Sequence, residues 1–285
     1  MASPVRRQKK YKLVHRGNVG SVFKWGNMKA VKSAVISALA RSYVPSFGPD
    51  GASTITGLSK MQQEGRILNK VKGLKNVVQL IRITQGPERL SFVMRWGGDP
   101  LMSWHSTHYD RGQSESRGIY SEKEAKLIFK QLLEAVQNVH EKGIAHKDIK
   151  PENVLLTENQ TVTLIDFSSA EEMIDGRIFD AQGTVHFSPP ELFRVSESEH
   201  VRSFDGAKRD IWSLGMTLFV MLFGLFPFDA TKTGIWLQLT IANIEQIDVP
   251  STVSDHCKRL IQGLLSTDPS KRMTFDEALL SKWLI

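Results

Sequence analysis

The sequence predicts an α+β chain of two lobes, a small β-rich one at the N-terminus and a larger, mainly helical one after it. Three observations predict it. The chain has 285 residues, more than the ~100–200 of a typical domain. Residues 11–32 alternate apolar and polar side chains between glycines, the period of half-buried strands. From residue 207 onward the pattern is mainly helical. With 41% hydrophobic and 24% charged residues, the composition supplies a core and excludes a largely disordered or collagen-like chain.

The elements follow in order. Residues 11–14, 21–24 and 28–32 read as short antiparallel strands, with Trp25-Gly26-Asn27 as a tight turn between the last two. Residues 42–57, rich in Pro, Gly, Ser and Thr, read as an inserted loop. Glu64 to Val71 reads as helix, and Val77–Ile83 and Leu90–Met94 as strands. Gly97 and Gly98 mark a hinge, and residues 105–118 a further loop. Ser121 and Glu124 form a capping-box pattern ahead of Ala125, Ile128, Leu132, Val136 and Val139 at helical spacing, and Gly143 ends that helix.

The stretch from Ile211 to Phe228 carries no charge and reaches the ~18-residue threshold of a membrane span. Its glycines, Pro227 and flanking Asp210 and Asp229 favour a buried core helix, so no membrane is expected. The lone Cys257 cannot close an internal disulfide, which suits an intracellular chain, cytoplasmic or nuclear. Arg6, Arg7, Lys9 and Lys10 precede no apolar run, so no secretory signal is expected. A net charge of +7 fits either an acidic partner, nucleic acid included, or a solvated basic surface. No aromatic-basic nucleic-acid motif accompanies it, which favours the second.

Residues 154–156 and 162–165 are apolar and partly β-branched, and read as a hairpin with Asn159-Gln160 as its two-residue tip. That register sets Asn153 opposite Asp166 at the open end. An amide oxygen and a carboxylate converging there suit Mg²⁺, which takes one or two carboxylates beside phosphate and water oxygens. Just upstream, the carboxylate of Asp148 can accept a proton from a hydroxyl, and Lys150 can screen a transferring phosphoryl group. Each alone would be a surface charge; the four together at this spacing point to chemistry.

These residues lie in His146-Lys147-Asp148-Ile149-Lys150-Pro151-Glu152-Asn153 and Asp166-Phe167-Ser168. Gly183-Thr184, Pro189-Pro190-Glu191 and Asp210-Ile211-Trp212-Ser213-Leu214-Gly215 follow in order. The set resembles the eukaryotic protein kinase family, Ser/Thr branch, over nearly the whole chain. The compact length and degenerate motifs also resemble viral and parasite kinases, a baculoviral one among the candidates. The resemblance implies a bilobal kinase fold, with an N-lobe at 1–96 and a C-lobe at 97–285, and ATP and Mg²⁺ as cofactors. It implies Asp148 as catalytic base, Lys150 as phosphate-stabilising lysine, and Asn153 and Asp166 as metal ligands. Lys32 resembles the strand lysine on the α/β-phosphates and Glu64 its helix partner. His15, Gly17, Gly20 and Val22 fall in the loop over the phosphates. Ala30, Met94, Trp96, Asp99 and Leu155 fall around the nucleotide. Glu191 with Arg272 resembles a structural salt bridge, and Asp210 a buried helix cap.

The chain departs from the pattern at His15, Lys147 and Ser168, where the family carries Gly, Arg and Gly. Between Ala170 and Gly183 there is no Ser, Thr or Tyr, and Asp180 stands at the usual phosphosite. It reads either as a fixed charge pairing with Lys147 or as a solvated loop residue. An exposed pair contributes only ~0–1 kcal/mol. The first reading makes activating phosphorylation unnecessary. Glu152 and Asp99 sit where the family places acids that read upstream arginine, so protein substrates with basic sites are expected. Thr184 resembles the residue that touches the catalytic Asp in Ser/Thr kinases. The competing functions are a pseudokinase-type binding scaffold and a small-molecule phosphotransferase.

Overall fold

The computed structural model describes residues 11–16, 20–26, 28–48, 51–101, 120–194 and 203–285. The expected loop at 105–118, Gly17 and Asn27 lie outside them. The N-terminal region is β-rich: β1 (Tyr11–Arg16), β2 (Ser21–Trp25), β3 (Lys29–Val35), α1 (Ile36–Arg41), β4 (Tyr43–Gly48), β5 (Gly51–Thr56), α2 (Gly57–Lys70), β6 (Leu80–Gln85) and β7 (Arg89–Arg95). Five strands form one antiparallel sheet in the order β1-β2-β3-β7-β6. Because paired residues share a face, Val22, Ala30, Lys32, Phe92 and Met94 all point to the same side of it. Helix α2 lies against the sheet at Gly65, where a Cβ would come within 3.2 Å of the Phe92 ring. That close approach carries the neighbouring Glu64 into the interior, where it is buried.

The expected inserted loop is corrected: residues 43–56 form the hairpin β4–β5, in register from Tyr43↔Thr56 to Gly48↔Gly51. Tyr43, Val44, Thr54, Ile55 and Thr56 supply β-branched and aromatic pairs. Pro45 is tolerated because a two-stranded ribbon has a free edge. Helix α2 starts at Gly57, earlier than expected, because the Thr56 hydroxyl caps the Ser59 N–H at 3.1 Å. The strand expected from Val77 begins at Leu80, and Val77 instead bridges to Leu164.

The C-terminal region holds β8 (Asp99–Pro100), α3 (Glu122–His140), β9 (Ile144–Ala145), β10 (Val154–Leu156), β11 (Val162–Leu164), β12 (Glu171–Glu172), β13 (Arg177–Ile178) and β14 (Phe204–Asp205). Helices α4 (Gly206–Phe223), α5 (Gly234–Ala242), α6 (Asp255–Leu264) and α7 (Phe275–Leu279) follow. Both halves of the Ser121–Glu124 capping box form at the start of α3. Helix α4 is buried all round from Arg209 to Phe223, as its uncharged run from Ile211 onward dictates, and Gly224 ends it in the left-handed conformation. No helix among the described residues is long and apolar enough to cross a membrane.

The hairpin register is also corrected. Val154 pairs with Leu164, Leu155 with Thr163 and Leu156 with Val162, so the loop is longer than two residues. A two-residue type I′ tip needs positive φ at both central positions, and of Asn159 and Gln160 only Gln160 adopts it. The Ile165 N–H therefore donates to the Asn153 carbonyl at 2.9 Å, and Asp166 follows one residue beyond Asn153's partner.

Candidate active site

Two polar networks meet at the mouth of β10–β11. The first starts from β3 and α2. Lys32 Nζ lies 2.7 Å from Glu64 Oε1 and 3.0 Å from Asp166 Oδ1. Asp166 has φ 61°, a left-handed conformation that turns the chain out of β11 and into the short turn Phe167–Ser169. Phe167 is buried beneath α2, so the aspartate is set by a packed anchor. Burial acts to raise the Asp166 carboxyl pKa, but the Lys32 cation and hydrogen bonds from Lys32 and Ser168 hold it well below the usual range. Burial likewise opposes the charge on Lys32, and its two carboxylate partners outweigh it. Burial raises Glu64, whose Oε2 is buried with no partner among the described residues.

The second network surrounds Asp148. Its Oδ1 accepts from the Thr184 N–H at 2.9 Å and the Thr184 hydroxyl at 2.6 Å. Its Oδ2 takes the Asn153 amide at 2.9 Å and lies 2.9 Å from Lys150 Nζ. Lys150 Nζ also donates to Thr184 Oγ1 at 2.6 Å. Burial would raise the Asp148 carboxyl, but Lys150 and these hydrogen bonds lower it below the ordinary value. Such a carboxylate is a weak base suited to aligning a hydroxyl and taking its proton late. The hydrogen bonds of the Asn153 side chain use its nitrogen, toward the Asp148 carbonyl and carboxylate. Its amide oxygen accepts none from the described residues. That oxygen and the Asp166 carboxylate, whose side chain is 39% exposed, are hard donors of the kind Mg²⁺ takes.

Val22, Ala30 and Met94 share the sheet face of Lys32, and Ala30 pairs directly with Met94. Leu155 on β10 meets the hinge at Gly97, where a Cβ would lie 3.1 Å from its methyl carbon. Trp96 carries Lys24 Nζ 4.3 Å above its ring, and Asp99 is exposed on β8 opposite Leu156. His15 is exposed on β1, paired with Val22. At Gly20 a Cβ would meet the Ser33 carbonyl at 2.8 Å, so close strand approach alone demands glycine there.

Two expectations about the supporting residues change. Asp210 is not a helix cap: Asp205 caps α4, and Asp210 sits a turn further in. Its carboxylate accepts the backbone N–H groups of His146 and Lys147 at 2.7 and 2.8 Å, and His140 Nε2 lies 2.8 Å away. It thereby fixes the loop that presents Asp148. The Lys147–Asp180 pair forms, at 3.3 Å, but both residues are buried, so the surface-pair magnitude does not apply. Lys147 Nζ also reaches Glu171 at 2.6 Å, and Lys60 from α2 comes within 3.8 Å of Asp180. Sequence reasoning missed Glu171, Lys60 and Arg209, whose guanidinium lies in the same cluster. An arginine one residue before Asp210, at the head of the uncharged run 211–228, was the available signal. Arg272 and Glu191 form a bidentate pair at 2.7 and 2.9 Å.

A profile of the family described as Protein kinase domain matches residues 9–284. This chain belongs to the protein kinase family. The probable serine/threonine-protein kinase MARK-A of Dictyostelium discoideum is 30% identical over 229 residues, 80% of this chain and 20% of that protein. CBL-interacting protein kinase 26 of Oryza sativa subsp. japonica is 29% identical over 274 residues, 94% of this chain and 50% of that protein. Serine/threonine-protein kinase ppk34 of Schizosaccharomyces pombe is 31% identical over 220 residues, 75% of this chain and 58% of that protein. The resemblance to the Ser/Thr branch holds, without support for a viral kinship. This kinase chain spans between 20% and 58% of the length of these curated relatives.

Proposed function

We propose that this kinase transfers the γ-phosphoryl group of Mg-ATP to serine or threonine hydroxyls of protein substrates. The observation that carries the reading is the pair of networks Glu64–Lys32–Asp166 and Lys150–Asp148–Thr184, with the Asn153 amide bonded to Asp148 and the Asn153 carbonyl bonded to the N–H of Ile165, next to Asp166. Lys32, held charged by two carboxylates, would grip the phosphates from the sheet side. Asp166 and the unspent amide oxygen of Asn153 would hold the metal. Bound there, Mg²⁺ supplies charge neutralisation on the phosphate oxygens. Asp148 orients the acceptor hydroxyl and accepts its proton, while Lys150, bonded to both Asp148 and Thr184, offsets charge on the transferring group. A radiolabelled-ATP assay on a basic protein tests this. Wild type labels serine and threonine, and Asp148→Asn loses about 10²–10⁴-fold in kcat. A wild type that binds nucleotide without transferring phosphate turns the reading to the scaffold.

Three finer readings rest on the same site. Exposed Glu152 and Asp99 favour basic residues near the phosphoacceptor; a peptide array selecting acidic or proline-directed sites removes that preference. The buried Lys147–Asp180 pair supplies the negative charge a phosphate would bring, so fully dephosphorylated protein keeps its activity. We also place the chain inside the cell, where Cys257, a buried free thiol and the lone cysteine of the chain, stays reduced.

A further inference from the structure

Arg209 lies in the first turns of α4 and is 1% exposed. Its guanidinium faces backbone oxygens. Nη1 donates to the Asp180 carbonyl at 2.9 Å. Nη2 donates to the carbonyls of Lys147 and Ala181, each at 3.3 Å, and to that of Gln182. Its neighbour Asp210 takes the N–H groups of residues 146 and 147. Two adjacent side chains of opposite charge thus read opposite backbone groups. The carboxylate gathers the N–H groups of the catalytic loop, and the guanidinium gathers the carbonyls of the segment at 180–182.

Lys147 cannot do this second task. Its ammonium is spent on the carboxylates of Glu171 and Asp180 and on one carbonyl, that of Asp180. An ammonium is a compact point donor, whereas a planar guanidinium reaches several acceptors in a fixed fork. The chain then runs directly from the gripped carbonyls to the chemistry. Gly183 has φ 144°, and a Cβ there would lie 2.4 Å from the Lys147 carbonyl and 2.8 Å from Arg209 Nη2. One residue further, Thr184 donates its N–H and hydroxyl to Asp148. Gln182 is held from the other side as well, its side-chain amide donating to the Pro45 carbonyl of β4 at 3.1 Å.

We propose that Arg209 is a positioning residue for phosphoryl transfer, clamping the carbonyls of 180–182 so that Thr184 fixes the rotamer of Asp148. It supplies from α4 the guanidinium that the catalytic loop lacks at Lys147. The proposal deepens the kinase reading and rests on it for its kinetic part.

The test is Arg209→Lys in the full chain, which keeps the buried charge and removes the fork. Steady-state kinetics with Mg-ATP and a basic protein are expected to show kcat lowered about 10- to 100-fold, with KM for ATP unchanged. Hydrogen exchange at residues 180–184 is expected to accelerate, while β3, β7 and α2 keep wild-type protection. Arg209→Met is expected to lose more activity than Arg209→Lys. Wild-type kcat together with wild-type exchange at 180–184 overturns the proposal. So does protection lost equally in α4 and the five-stranded sheet, which makes Arg209 a general structural residue. If wild type itself transfers no phosphate, the kinase reading falls, and the exchange measurement still decides whether Arg209 clamps the segment.

Discussion

Thr184 ties the catalytic carboxylate to its neighbouring lysine. Its N–H and hydroxyl both meet Asp148 Oδ1, and its hydroxyl oxygen also receives Lys150 Nζ. Hydrogen bonds to charged groups contribute about 1.5–3 kcal/mol each. Thr184→Val removes two of them, about 3–6 kcal/mol together, and is expected to lower kcat by roughly 10²- to 10⁴-fold at unchanged KM for ATP. Thr184→Ser should restore most of it, and equal loss in both variants would count against the hydroxyl. The polar set was legible in the sequence because each member is a side chain whose chemistry can be named: Lys32, Glu64, Asp148, Lys150, Asn153 and Asp166. The helpers were not. Arg209 binds backbone carbonyls from distant residues, and a carbonyl leaves no mark in the sequence. Lys147 and Asp180 were legible as partners but not as buried ones, because burial is set by α2, α4 and β12 closing around them. A buried pair broken on one side is destabilised by about 3–5 kcal/mol. Asp180→Ala should therefore lower thermal stability far more than a surface ion-pair deletion, and a loss within ~0.5 kcal/mol would contradict the burial.

At the scale of elements, the hinge is where strand pairing decides the site's geometry. Gly98 has φ 112°, and a Cβ there would stand 2.3 Å from the Leu156 carbonyl. Gly98→Ala should push β8 away from β10, costing about 1–3 kcal/mol and loosening Leu155 at the hinge. Urea unfolding checks the first effect, and raised KM for ATP with little change in kcat checks the second. Elements with a strong local signal were read correctly from sequence: the capping box of α3, the apolar run of α4 and the alternation in β2 and β3 all survive. Errors fell where closure is decided at long range. The β10–β11 register slipped by one because loop length depends on which of Asn159 and Gln160 takes a left-handed backbone, and side-chain pattern fixes that only weakly. The β4–β5 hairpin was hidden by composition. Glycine, proline and serine promise a loop, yet Tyr43, Val44 and Ile55 pair across the ribbon, and its ends are clipped by the bond from Gly57 N–H to the Ser42 carbonyl. Gln182 then ties this ribbon to the segment at 180–184.

Across the whole molecule, the division into a β-rich N-terminal and a helical C-terminal region was legible from periodicity alone, because each period belongs to one way of burying apolar surface. The sequence could not show how the charges of the site and its supports add up to a pH response. Asp148, Asp166 and Asp210 are each held below the ordinary carboxylate value, in every case against burial. Lys150 opposes burial at Asp148, Lys32 at Asp166, and the hydrogen bond from His140 at Asp210. A group depressed in the folded state adds stability above its unfolded pKa, about 3.9 for Asp, and loses it as pH falls through the lower folded value. Glu64 has the opposite sign, since burial raises it. Its charge disfavours the folded state at neutral pH, and that penalty fades as pH drops through its raised folded value toward its unfolded one. The two windows are adjacent. Stability should therefore rise on mild acidification as Glu64 takes up its proton, then fall below the ordinary carboxylate range as the three aspartates take up theirs. Urea unfolding free energy measured from neutral pH down to pH about 3 reads both limbs. Glu64→Gln should flatten the upper limb and leave the lower one. Asp210→Asn should lower stability at neutral pH, since it weakens the hold on the His146 and Lys147 N–H groups, and should make the acid limb shallower by up to the one proton it no longer binds. An acid limb of unchanged slope in Asp210→Asn would mean that this carboxylate is not depressed, and that the catalytic loop is held by packing and not by charge.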